Sequence, residues 1–495
     1  VDNEQFLRES SLKNGVQRSH LPRRALLKMG MFGLASASMV GVIESMAWLP
    51  RRVAHAAPDD LPDIQFNIGD YIAPAQTMHG IEVRFGPVFT LFVTARLLRT
   101  PDDRDRRILS DALNIIEESY PFRPEGIFPC IAYGLPYFQR LPQGLVAEHM
   151  PHLLADDSRF ALEEAMVCKT DVSELNPHIQ KKTFQIPTTI EQNDLLITLR
   201  SDTMSNVMDV ANWLRGGRTL SGERVEAPPF SDLLEITSMR LMFVQVGLPH
   251  KIANHAKLPY ANTVNPQSSM WMGFVDQHVN GSGPAEITTF QGNDSARLTD
   301  TSEGDYFYNG SIQHLSHVIQ DLETFYSKDE SYTERVQYMF RSTRMPSQGY
   351  SDQFHHGGGP AFLDNVYMGA SDAESNARGL NTHGGKRRMG HLTALQQSSR
   401  AQDGTPMHIR TDGPGFDNLD VPDGSNQPKL HFSIFVPSAD FFLTMRNNQA
   451  AENLCQKYRV PEDDNGLERF LTATRRQNFL VPPRRHRSFP LQELT

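Results

Sequence analysis

Lys429-Leu430-His431-Phe432-Ser433-Ile434-Phe435-Val436-Pro437-Ser438 puts Leu430, Phe432, Ile434 and Val436 on one face, then stops at a proline and a serine. Period-two patterning of this kind is that of a β-strand. The Ser438 hydroxyl can accept from the free N–H groups of a helix that follows, and that helix is expected to run to about Leu454. A strand thus passes almost directly into a helix. The first half of the chain repeats the theme. Asp194 to Arg200 reads as a strand followed by a helix from Ser205 to Leu214, and Leu234 to Val244 as a further strand. His79 to Phe85 alternates as a half-buried strand does, and Asp102 to Glu118 spaces Ile108, Leu109, Leu113 and Ile116 as a helix does. Strand–helix units separated by long gaps, met twice, predict an α+β protein of two ferredoxin-like domains, antiparallel sheets with packed helices, rather than a doubly wound sheet.

Working outward gives the organisation. The expected division is an export signal over residues 1–57, one ferredoxin-like domain over 58–230 and a second over 231–495. The second carries an insertion at about 345–388. That insertion includes His355-His356-Gly357-Gly358-Gly359-Pro360, is rich in Gly, Ser and His, and has little apolar periodicity. At 495 residues the chain is long enough for one large core or two. Its formal charge of −10 and the lack of a basic stripe in its interior argue against a nucleic-acid partner. Arg475-Arg476 and Arg484-Arg485-His486-Arg487 read as a solvated basic tail. Cys130, Cys168 and Cys455 are widely spaced with no Cys-x-x-Cys, which excludes a readable zinc knuckle or thioredoxin-like site. One disulfide is compatible with them; its pairing does not follow.

Pro22-Arg23-Arg24-Ala25-Leu26-Leu27-Lys28 precedes an apolar run from Met29 to Leu49, and Ala54-His55-Ala56 follows as a small-x-small cleavage pattern. This resembles a twin-arginine translocation signal. The resemblance implies the twin-arginine export machinery as a partner and a periplasmic or extracellular protein. A transmembrane anchor is the competing reading, disfavoured by Glu44 and by the small residues of the run.

Three short segments carry candidate chemistry. In Trp271-Met272-Gly273-Phe274-Val275-Asp276 the aspartate is either a turn residue or a carboxyl held in an apolar pocket, where burial raises its pKa and lets it move protons. His391, in Met389-Gly390-His391, is either an ordinary hydrogen-bonded histidine or a metal ligand whose second nitrogen is held by an acceptor. Arg410, in His408-Ile409-Arg410-Thr411-Asp412, either makes a salt bridge or meets developing negative charge.

The order Gly-x-x-Asp, then Gly310-Ser311 opening a strand, then His391, then Arg410-Thr411-Asp412, then Leu430 to Phe435 resembles the dye-decolorising peroxidase family. The resemblance spans roughly Met78 to Val481. It implies two ferredoxin-like domains with one haem b in the second, His391 as proximal iron ligand, Asp276 and Arg410 as distal catalytic residues, and Phe274 and Asp412 lining the cofactor. It implies hydrogen peroxide as one substrate and an organic or dye-like electron donor, unidentified, as the other; a homo-oligomer is compatible. Gln277 departs from the family's glycine after the aspartate, and Asp412 stands where some members have asparagine. His383 and His408 are the fallback ligands. Trp213, Trp271 and Tyr367 are compositional candidates for electron relay, with core or scaffold residues the blander reading. Two other classes compete: a haem- or iron-handling protein without catalysis, and a scaffold of the same fold without haem. A hydrolase built on His356-Gly357-Gly358-Gly359 is set aside because no Gly-x-Ser-x-Gly elbow occurs.

Overall fold

The computed structural model describes residues 37–47, 61–74, 76–78, 81–83, 85–274, 284–294, 296–327, 331–339, 390–391, 407–450, 452–461 and 465–495. Eight strands carry the architecture: β1 (Phe89–Leu97), β2 (Phe128–Gly134), β3 (Leu195–Ser201), β4 (Leu234–Phe243), β5 (Ser311–Gln320), β6 (Gly413–Asp417), β7 (Gln427–Val436) and β8 (Leu471–Val481). Helix α1 (Ala37–Met46) precedes them. Helices α2 (Asp103–Ser119) and α3 (Met204–Leu214) lie between strands of the first half, α4 (Leu248–His255) follows β4, and α5 (Ala439–Ala450) joins β7 to β8.

The first half therefore runs β1-α2-β2-β3-α3-β4 with spatial order β4-β1-β3-β2, which is a ferredoxin-like unit. The second half has strand order β6-β7-β5-β8, the same arrangement read from the other side. The expected α+β pair of ferredoxin-like units is what the chain forms. Their edges then meet: β6 pairs with β4 and β8 with β2, while β8 also pairs with β5. The eight strands close into one barrel, and closure leaves no bare sheet edge between the units.

Local chemistry explains the elements. Asp102 caps α2, its carboxylate accepting from Asp105 N at 2.9 Å while Asp105 returns the bond to Asp102 N at 2.9 Å. Ser438 caps α5 as expected, accepting from Phe441 N at 3.2 Å. The described residues are helical over Ala439–Ala450 and again over Glu452–Tyr458, which takes in the expected end near Leu454. On the outer face of the first unit, Leu91, Val93, Ile197, Leu199 and Leu241 are buried in one layer with Leu109, Leu113 and Ile116 of α2 and Val207 and Trp213 of α3. The helical spacing of those α2 residues is what lays them all on the sheet.

Two expectations change. Leu234–Phe243 is the fourth strand of the first unit, so the division expected between residues 230 and 231 moves past Phe243: the strand pairs along β1 from Leu97 to Phe89. Most of the basic tail is not solvated, Arg485 being its exposed member. Arg476 is buried in β8 with Asp171 at 2.8 Å, Arg475 grips Asp420 at 2.7 Å, and Arg484 and Arg487 both reach Glu117. Each of these guanidinium groups has a carboxylate brought from elsewhere in the chain. Within the strand expected at His79 to Phe85, Ile81–Val83 is a strand, paired antiparallel with Gln76–Met78. The three cysteines are free and buried.

The arginine pair at 23–24 and the cleavage pattern at 54–56 lie outside the described residues. The later part of the apolar run forms α1, whose Ile43 is buried and whose Glu44 accepts from Ser205 N at 3.1 Å. No helix among the described residues is long and apolar enough to cross a membrane.

Candidate functional site

The candidates fall on the second unit and the loop that leads to it. Arg410 lies on a two-residue strand, Ile409–Arg410, that pairs with β7 at Phe435 and Ile434. Its Nε stands 4.0 Å from Asp412 Oδ1, and both side chains are partly buried. Burial raises the Asp412 carboxyl above the usual carboxylate range, and the Arg410 charge opposes that rise. A guanidinium beside a buried carboxyl can stabilise negative charge, and the carboxyl can exchange a proton.

The Gly273-Phe274 segment is tied to the same region. Trp271 Nε1 donates to Gly415 O on β6 at 2.9 Å, and Tyr326 Oη donates to Trp271 O at 2.8 Å. Gly273 has φ +82°, and a Cβ there would stand 3.1 Å from Tyr326 Oη. Phe274 is buried. Asp276 and Gln277 lie outside the described residues, as do His383, Tyr367 and the expected insertion at about 345–388. His391 is half-buried, and its backbone lies against Gly466, where a Cβ would stand 3.2 Å from His391 Cα. His408 is buried. Trp213 is a core residue on α3, and Trp271 is a buried hydrogen-bonded anchor.

A second group was not expected from sequence. On the inner face of the barrel, His317 of β5 stands opposite His431 of β7 in register, with Asp417 at the end of β6 between them. Asp417 Oδ1 is 3.5 Å from His317 Nε2, and Asp417 Oδ2 is 3.5 Å from His431 Nε2. All three are buried. Lys429 Nζ lies 3.8 Å from Asp417 Oδ1 and donates to Leu419 O at 2.7 Å. Burial pushes the His431 imidazole down to about 4, while the two histidines and Lys429 outweigh burial at Asp417 and hold its carboxyl far below the usual range. The available signal was period two: Lys429, His431 and Ser433 share the strand face opposite Leu430, Phe432 and Ile434.

The chain belongs to the family of unknown function DUF7405, which it matches over residues 87–483. No curated protein matches it in sequence. Among solved structures it is similar to a dyp-type peroxidase protein from Shewanella oneidensis, at 13% identity and TM-score 0.44, covering 86% of this chain and 97% of that one. It is similar to the encapsulated DyP-type peroxidase from Mycobacterium smegmatis, at 14% identity and TM-score 0.44, covering 82% and 95%. A variant of Rhodococcus jostii DypB in complex with heme gives 11% identity and TM-score 0.46, covering 82% and 96%.

Proposed function

We propose that this DUF7405 chain is a haem-dependent peroxidase that reduces hydrogen peroxide while oxidising an organic electron donor. The observation that carries the reading is the Arg410–Asp412 pair: a cation 4.0 Å from a carboxyl whose affinity for protons is raised by burial. The donor set fits haem in kind, with an imidazole at His391 for the iron and a guanidinium with a carboxyl for the distal side. Bound haem would supply the redox chemistry. Arg410 would stabilise negative charge on the departing oxygen. Asp412, and Asp276 in the segment beyond Phe274, would hold or move the proton between peroxide oxygens. Phe274 and Trp271 would keep water from that side. We place the protein outside the cytoplasm, exported through the twin-arginine route.

The test is spectroscopic. Protein purified with haem supplied should show a Soret band that His391→Ala abolishes. Arg410→Leu should slow the reaction with peroxide by about 100-fold or more, the size of effect seen when one charge-stabilising donor is removed. A colourless protein would overturn the proposal. A Soret band with peroxide kinetics unchanged in both Arg410→Leu and Asp276→Asn would favour a haem-handling protein without catalysis.

A further inference from the structure

We propose that His317, Asp417 and His431 form a binding site for a zinc-class divalent metal ion on the inner face of the barrel. The three residues come from three adjacent strands, and their donor atoms all lie within 4.8 Å of one another. Each imidazole Nε2 stands 3.5 Å from an Asp417 oxygen. That spacing is too long for a good hydrogen bond, which falls at about 2.7–3.2 Å. It suits two ligand atoms on one tetrahedral ion, whose bonds of about 2.0–2.1 Å set neighbouring donors roughly 3.4 Å apart. Two imidazoles and a carboxylate are the donor types that zinc and its neighbours take.

The hydrogen-bond pattern points the same way. His317 Nε2, Asp417 Oδ2 and both ring nitrogens of His431 are buried and have no hydrogen-bond partner among the described residues. Buried polar atoms are rarely left so, and three of the four, His317 Nε2, His431 Nε2 and Asp417 Oδ2, face this cluster. The far side of His317 is held as a ligand's would be. Its Nδ1 is 3.1 Å from Thr474 Oγ1 and 3.5 Å from Asp420 Oδ2, while Arg475 clamps Asp420 through two bonds of 2.8 and 2.7 Å. Such outer partners fix which nitrogen carries the proton and turn the other toward the ion. Leu419 N holds Asp417 Oδ1 at 2.9 Å. Gly415 leaves room for the second ring: a Cβ there would crowd His431 Nε2. The Lys429 ammonium is the competing partner for Asp417, but its hydrogen bond goes to Leu419 O.

The site is separate from the haem reading. His431 faces the barrel interior, whereas Arg410 pairs with Ile434 on the face that carries the helices. An ion here would staple β5, β6 and β7 together.

The experiment measures metal in the full-length protein, purified without a metal-affinity resin, by elemental analysis, with iron counted apart. The result expected is about one zinc-class ion per chain. Protein stripped of metal by a chelator should take up Co²⁺ with the intense visible absorption of a tetrahedral site. Thr474→Val, which leaves the three ligands in place, should weaken binding about 10–100-fold. His431→Gln should abolish it, while His314→Gln, equally buried on the opposite face of β5, should not. Wild-type protein without such an ion that also gives no tetrahedral Co²⁺ spectrum would overturn the proposal, whether or not the variants fold. Undiminished binding in His431→Gln would do the same.

Discussion

The two ferredoxin-like units share a strand order but differ in what they bury. On the first, Leu91, Val93, Ile197, Leu199 and Leu241 meet α2 and α3 through apolar contact. Its inner face adds Phe92, Cys130, Leu196 and Met242, with Arg240 buried beside Phe92 and paired to Glu191 at 2.5 Å. On the second, the corresponding faces carry His314, Arg476 and Asn478 outside and His317, Lys429 and His431 inside, all buried. Buried polar and charged groups cost stability unless each is well partnered. The first unit is the more apolar support, its Arg240 and Asp194 each held by an ion partner, and the second buries the larger set of polar groups on both faces.

The largest expected effect tests the supporting side. Phe92 is fully buried among Leu315, Phe435 and Phe479 contributed by the second unit. Phe92→Ala should cost roughly 3–5 kcal/mol in urea denaturation. A loss below about 1 kcal/mol would mean that the barrel interior is not close-packed, and the contrast between the units would fail there.

Next comes the buried ion pair on the other side. Arg476→Ala leaves Asp171 without its 2.8 Å partner and should cost about 3 kcal/mol. Replacing both, as Arg476→Met with Asp171→Leu, should recover much of it. If the single change were as mild as a surface substitution, Arg446, 3.6 Å from Asp171, would be carrying the pair.

His314 separates the units by pH. Its ring stacks on Phe442 with centroids 3.3 Å apart, Nδ1 meets Asn478 Oδ1 at 2.7 Å, and burial holds its pKa well below 6.5. The unfolded chain then binds a proton that the folded chain does not. The stabilising contribution is full above about pH 6.5 and declines as pH falls, by up to about 1.4 kcal/mol per unit. Denaturation midpoints measured between neutral and mildly acidic pH should fall less steeply in His314→Gln. Identical slopes would show that His314 does not set this dependence.

Sequence reached the fold through local rules and lost the site through distant ones. The alternation of β7, the helical spacing of α2 and the Ser438 cap of α5 depend on neighbours, so they could be read directly. β2, with Pro129 and a continuous apolar run, offers no alternation, because both of its faces are covered. β8 contains Arg475 and Arg476, which look like surface residues until Asp420 and Asp171 arrive to neutralise them. His317, Asp417 and His431 each look ordinary in their own segments, and only the pairing of three strands brings them together.

The smallest effect belongs to the most local feature. At the start of α2 the carboxylates of Asp102 and Asp105 each accept from the other's backbone N–H, and Arg99 adds bonds to Asp105, holding that carboxyl below its usual range. Asp102→Ala should remove the N-cap and cost about 1 kcal/mol. Because α2 packs on the apolar first unit, peroxide kinetics and metal content should stay at wild-type values while the denaturation midpoint falls. A change in either functional readout would show that the first unit does more than support the second.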